Sequence, residues 1–104
     1  MELDSEAIRP GQVRAVEIDD EPFVVWRGAD GRARTAPRYC PHLDHDLADG
    51  SVVDTELVCA GHGWAFDGEG HAFKRNEFGR VDPKGSVPAL AVCEHDGALE
   101  LEAP

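Results

Sequence analysis

The sequence predicts an all-β protein: an antiparallel β-sandwich base built from both ends of the chain, with a smaller β lobe inserted between them. Three observations carry this. Eleven glycines and seven prolines break the 104 residues so often that the longest runs free of both are Gln12–Glu21 and Ser51–Ala60. Helices of ordinary length have little room in such a chain. Several short stretches are rich in β-branched and aromatic residues, which suit a pleated, half-buried surface. Two Asp-Gly pairs, Asp30-Gly31 and Asp96-Gly97, lie between such stretches, and both residue types tolerate the positive φ of a tight hairpin turn.

The elements follow in order. Val13–Ile18 alternates imperfectly and reads as a strand, with Asp19-Asp20 as its turn. Pro22-Phe23-Val24-Val25-Trp26 is the next strand, and Asp30-Gly31 leads into Arg32–Thr35. Ser51-Val52-Val53 and Leu57-Val58-Cys59 can pair around Asp54-Thr55. At the far end Leu90–Cys93 and Ala98–Leu101 flank Asp96-Gly97. A single unit spanning 1–104 results, with the base at about 1–36 and 74–104 and the inserted lobe at about 37–73. No repeat, low-complexity run or long linker divides it.

The inserted lobe holds the chemistry. Cys40-Pro41-His42 sets a thiol and an imidazole two residues apart, and Cys59-Ala60-Gly61-His62 sets a second pair three apart. Two cysteines and two histidines on one iron pair form the ligand set in which imidazoles replace two thiolates of a 2Fe-2S cluster. The same four residue types can hold a structural zinc. Zinc sites, however, usually pair Cys with Cys and His with His at close spacing, and here each close pair is mixed.

The stretches Cys40 to Gly50 and Cys59 to Asp67 resemble the two cluster loops of the Rieske family. Leu47 and Gly50 match the family's Leu and Gly after the first pair. Gly63-Trp64, Phe66-Asp67 and Gly70 match its pattern after the second. The resemblance is strong over about residues 37–72. It implies the Rieske-like (ISP-domain) fold and one Rieske-type 2Fe-2S cluster. Cys40 and Cys59 would bind one iron of that cluster, and His42 and His62 the other. It also implies an electron-transfer protein: a Rieske ferredoxin carrying one electron from a ferredoxin reductase to a terminal oxygenase. On this reading the chain is a carrier component and not an enzyme. The alternatives are a Rieske domain of a larger oxygenase, or a small subunit of the nitrite reductase type.

Composition bounds the partners. A net charge of −11 argues against DNA and RNA, which need clustered Lys and Arg. It suits either steering towards a basic protein partner or simple solubility. No run of about 18 apolar residues suggests a membrane span. Met1–Gly11 lacks a basic region followed by an apolar one, so no secretory signal is expected. If two of the three cysteines bind iron, Cys93 is left without a disulfide partner in the chain, which fits a reducing cytoplasm.

The resemblance also bears on potential. High-potential members of the family carry an extra disulfide between the loops and a serine and a tyrosine bonded to cluster sulfurs. Here those positions are His45, Gly61, Trp64 and Phe66. With fewer hydrogen bonds to sulfur, the expected midpoint is on the order of −150 mV, and it should fall at high pH as an outer imidazole proton is lost. Trp64 and Phe66 are expected as core aromatics. Asp82-Pro83-Lys84-Gly85 is either a loop covering the cluster or a plain surface turn. His45 either tunes the cluster or faces solvent, and His71 and His95 read as surface residues. Lys74, Arg75 and Arg80 form a small basic cluster that contacts a partner or balances nearby carboxylates. Cys93 reads as an apolar filler.

Overall fold

The computed structural model describes residues 2–40, 45–60, 63–75 and 80–102. Eleven strands follow in order: β1 (Glu2–Asp4), β2 (Val13–Ile18), β3 (Glu21–Arg27), β4 (Ala33–Pro37), β5 (Ser51–Val53), β6 (Glu56–Val58), β7 (Trp64–Phe66), β8 (His71–Arg75), β9 (Val81–Ser86), β10 (Ala91–His95) and β11 (Ala98–Glu102). Single 3-10 turns occur at Ser5–Ala7 and Leu47–Asp49, and no α-helix occurs among the described residues. The all-β expectation holds.

All pairings are antiparallel, in three sheets ordered β1-β11-β10, β2-β3-β4 and β5-β6-β7-β8-β9. The hairpin turns form where the sequence puts them. Asp19 and Asp20 (φ 53° and 64°) join β2 to β3, Asp54 (φ 57°) turns β5 into β6, and Asp96-Gly97 (φ 49° and 77°) joins β10 to β11. Two consecutive left-handed residues match the right-handed twist of the strands they connect. The Asp30-Gly31 hairpin also forms, but through a longer loop, because Arg27 pairs with Ala33. Asp30 closes that loop with two 2.8 Å bonds from the Arg34 guanidinium.

The β2-β3-β4 sheet is the middle layer. Phe23 and Val25 of β3 join one core with Ile8, Leu90, Leu99 and Leu101. Val24 and Trp26, pointing the other way, join a second core with Leu47, Leu57, Phe66 and both Cys40 and Cys59. β3 is therefore buried on both faces, and its near-continuous apolar run follows from that. Complete burial of side chains such as Trp26 and Leu57 contributes about 1.5–3 kcal/mol each. Trp26 also donates its indole N–H to the Thr55 carbonyl at 3.1 Å, tying β3 to the β5–β6 turn.

Two features differ from expectation. Asp82-Pro83-Lys84-Gly85 is neither covering loop nor turn: it lies within β9, the edge strand beside β8, with a register irregularity at Ala72/Phe73. Proline is tolerated at a sheet edge and beside a bulge because no inner partner needs its missing N–H. The sheet that follows the first loop consequently runs on past residue 73 to Ser86. Cys93 is exposed rather than a core filler. Alternation turns Val92 inward, so its neighbour in β10 points out.

Candidate metal centre

Strand β4 delivers the chain to the first cysteine. Beyond it the chain folds back on itself at a narrow neck. Leu47 N–H donates to the Arg38 carbonyl at 2.7 Å, Cys40 N–H donates to the His45 carbonyl at 2.8 Å, and Tyr39 forms an isolated bridge with Asp46. A side-chain clamp reinforces the neck: the Arg38 guanidinium donates to both Asp46 carboxylate oxygens. The same carboxylate accepts from Ala48 N–H at 2.9 Å and caps the 3-10 turn that buries Leu47. Arg38 holds the Asp46 carboxyl below the usual range; burial opposes this and the Ala48 N–H adds to it.

The second cysteine follows β6. Cys59 N–H donates to the Trp64 carbonyl at 2.7 Å, and Gly63 N–H returns to the Cys59 carbonyl at 3.3 Å. Gly63 takes φ 72°, a backbone state that suits a residue without Cβ. This neck closes over the same offset as the first, Cys59 to Trp64 against Cys40 to His45, and opens directly into β7. Phe66 is fully buried behind it, as expected for a core aromatic, and Trp64 packs partly against the same core.

The two loops thus place Cys40 and Cys59, 0% and 2% exposed, in one apolar core. No disulfide links either of them or Cys93. His42 and His62 lie outside the described residues, and no group of three potential metal ligands gathers among the described ones. The cysteines fit a metal cluster on chemical grounds. Their sulfurs are soft donors shielded from water among Trp26, Leu47, Leu57 and Phe66, and to bind as thiolates there they would need a cationic metal to offset the buried charge.

The other histidines separate from this core. His45 is exposed. His71 Nδ1 lies 2.7 Å from Asp67 Oδ2 at the β7–β8 turn. Burial would raise the Asp67 carboxyl, but the Glu69 N–H and the His71 ring and N–H outweigh it and lower it. His95 sits on the outer sheet, 3.5 Å from Glu100. Sequence reasoning missed Arg38 and Asp46; the capping pattern Asp46-Leu47-Ala48-Asp49 was the available signal.

Residues 1–84 match the family model described as the Rieske [2Fe-2S] domain. The chain belongs to the Rieske family. Its cofactor is accordingly one Rieske-type 2Fe-2S cluster. It is 38% identical over 98 residues to the cholesterol 7-desaturase of Hemicentrotus pulcherrimus, covering 89% of this chain and 21% of that protein. Dicamba monooxygenase superposes with a TM-score of 0.82 at 26% identity, over 98% of this chain and 32% of that one. The ferredoxin of carbazole 1,9a-dioxygenase from Nocardioides aromaticivorans shares the fold, with a TM-score of 0.76 at 19% identity over 98% of this chain and 94% of that one. This Rieske chain spans 15–21% of the length of the first curated relatives it matches.

These findings correct one expectation. A carrier component that is no part of an enzyme does not agree with relatives that are themselves enzymes, matched only over their Rieske part. The reason the sequence misleads is physical. The loops that hold a cluster are the same whether the electron's acceptor lies in another protein or further along the same one. No described helix is long and apolar enough to cross a membrane.

Proposed function

We propose that this chain is the electron-relay domain of a Rieske oxygenase, with Cys40, His42, Cys59 and His62 as the cluster ligands. It takes one electron from a reductase and passes it to the oxygenase's catalytic centre. The observation that carries the reading is the pair of buried cysteines, unlinked by a disulfide, at the mouths of two necked loops. The similarity to enzymes over their Rieske part favours a domain of an oxygenase.

When bound, the cluster supplies a one-electron store whose two imidazole ligands, neutral where thiolates are anionic, make an added electron easier to hold. The chain's own residues do the rest. The Arg38–Asp46 clamp and the Cys59–Trp64 hydrogen bond fix where each cysteine sits. Leu47, Leu57 and Phe66 keep water from the sulfur side. Reorganisation on electron transfer is small when the ligands are held this rigidly.

Anaerobic reconstitution tests the ligand assignment. The expected product is red-brown, with a rhombic EPR signal on reduction, and Cys40→Ser, His42→Ala, Cys59→Ser and His62→Ala each abolish it. A colourless product, or iron retained after loss of either imidazole, overturns the assignment. Immunodetection in extracts of the source cells tests the domain reading. The chain is expected within an oxygenase polypeptide; recovery only as a free chain of this length overturns it.

A further inference from the structure

The net charge of −11 suits a basic partner or simple solubility, but that charge is unevenly placed. No Lys or Arg precedes Arg9 or follows Lys84. The β1-β11-β10 sheet is built from these ends. Its outward positions carry Glu2, Asp4, Glu100 and Glu102, with His95 as the basic group among them. The middle sheet separates this acidic layer from the sheet that bears the second cysteine loop.

The edge beside that loop has the opposite sign. Cys59 is bonded through its N–H to Trp64, and Trp64 pairs with Lys74 across β7 and β8. Lys84 of β9 sits over the Trp64 indole, its Nζ 6.0 Å from the ring centroid. Lys74 and Arg80 line a groove with Asp82 and with Val81, an apolar side chain left 52% exposed. Asp82 accepts from Lys84 at 2.8 Å. The sequence over 74–84 carries Lys74, Arg75, Arg80 and Lys84 against Glu77 and Asp82; this edge frames the exposed Val81 and adjoins Trp64, whose carbonyl bonds the cluster-loop Cys59.

We propose that this β8–β9 edge is the docking surface for an acidic patch on the protein redox partner. The inference rests on the electron-relay reading given above. At physiological ionic strength charges more than about 8 Å apart are largely screened, so a partner in contact answers to Lys74, Arg80 and Lys84 rather than to the distant carboxylates. The acidic layer repels the same partner on approach and turns the basic edge towards it. Val81 offers apolar area at the centre of the contact, where interface energy concentrates.

The sign of the local field can be read with small charged oxidants. One electron leaves the reduced, reconstituted protein, and hexacyanoferrate(III) becomes hexacyanoferrate(II). The rate is expected to fall roughly twofold or more as ionic strength rises from about 0.01 to about 0.15 M, as attraction is screened. Repulsion by the whole −11 charge would instead make it rise. Lys74→Glu with Arg80→Glu is expected to reverse the slope, and Lys74→Gln with Arg80→Gln to flatten it. An unchanged visible spectrum and thermal midpoint show that either variant is folded. Polyglutamate is expected to slow the wild-type reaction and to leave the glutamate variant unaffected. A protein that takes up no electron overturns the relay reading and this one with it. Reversible one-electron chemistry with a rate that rises with salt, or a slope the variants leave unchanged, overturns the docking surface alone.

Discussion

Arg38 and Asp46 clasp each other across the neck of the first cysteine loop, with Nη2–Oδ2 at 3.0 Å and Nε–Oδ1 at 3.1 Å. Asp46 does two things there: it neutralises Arg38 and caps the 3-10 turn through Ala48 N–H. Asn at 46 keeps the capping oxygen and loses the charge, whereas Ala loses both, at a cap cost of about 1 kcal/mol. Asp46→Ala is therefore expected to shed its cluster faster than Asp46→Asn, and both faster than wild type. The half-life of visible absorbance under chelator checks the order, and equal half-lives for all three would deny the neck a role in retention.

Much of the frame was legible because its signals are local. Asp19-Asp20, Asp54-Thr55 and Asp96-Gly97 turn where their residue types allow positive φ. Between them glycine and proline leave little room for a helix. The four residues proposed as ligands stand out by their spacing; Cys40 and Cys59 meet in one core, and His42 and His62 lie outside the described residues. What was not legible depends on contacts between layers. Pro83-Lys84-Gly85 has turn composition but lies in an edge strand, because β8 supplies the pairing. Nothing local in the sequence marks Arg27 or Arg34 for burial, yet both are buried. Arg27 meets Ser5, Ile8 and Glu94, which only the fold brings near. Cys93 was misplaced because an imperfect alternation does not say which face of β10 is covered.

Arg27 binds the two ends of the chain to the middle sheet. Its guanidinium donates to the Ile8, Gly31 and Ser5 carbonyls at 2.6–2.9 Å and to both oxygens of Glu94 at 3.0 Å. Arg27→Met should cost roughly 3 kcal/mol, since several buried acceptors lose a charged donor. The pair also predicts a pH dependence. Arg27 lowers the Glu94 carboxyl below its ordinary value. The stabilisation is thus full above the unfolded pKa of about 4.3 and is lost as pH falls through the lower folded value. Glu94→Gln should flatten the acid limb of a urea-midpoint profile between about pH 5 and 2, and an unchanged limb would show that other carboxylates carry it.

Gly68 marks where the β7–β8 turn touches the middle sheet. A Cβ at this position would meet Arg34 Cβ at 2.3 Å and Cγ at 2.7 Å, and the residue holds φ +81°. Arg34 is itself pinned by Asp30, so it has little freedom to retreat. Gly68→Ala should destabilise by roughly 2–4 kcal/mol, combining left-handed strain with overpacking. Gly97 has a similar φ of +77° and nothing within 4 Å, so Gly97→Ala should lose only about 1 kcal/mol. Chemical denaturation of the two variants gives the comparison; equal losses would mean the turn can lift off the sheet without penalty.

Cys93 provides the control for the buried pair. It is exposed on β10, opposite Glu100, and outside the core that holds Cys40 and Cys59. Cys93→Ser should leave the spectrum unchanged and stability within about 0.5 kcal/mol of wild type. Loss of colour in this variant would place the third thiol at the metal centre and undo the ligand assignment.

The potential tests how the second loop treats the added electron. Phe66 is fully buried and Trp64 partly so, and neither carries the hydroxyl that matching positions of high-potential relatives aim at sulfur. Without those donors an extra negative charge is less stabilised, so the midpoint should lie near the low end of the Rieske range, on the order of −150 mV. Phe66→Tyr offers the complementary change. Its new hydroxyl should raise the midpoint if it reaches the cluster, and should cost stability with no change in potential if it is trapped in the core. Spectroelectrochemical titration reads both, and a wild-type midpoint above about +100 mV would refute the assignment to the low-potential branch.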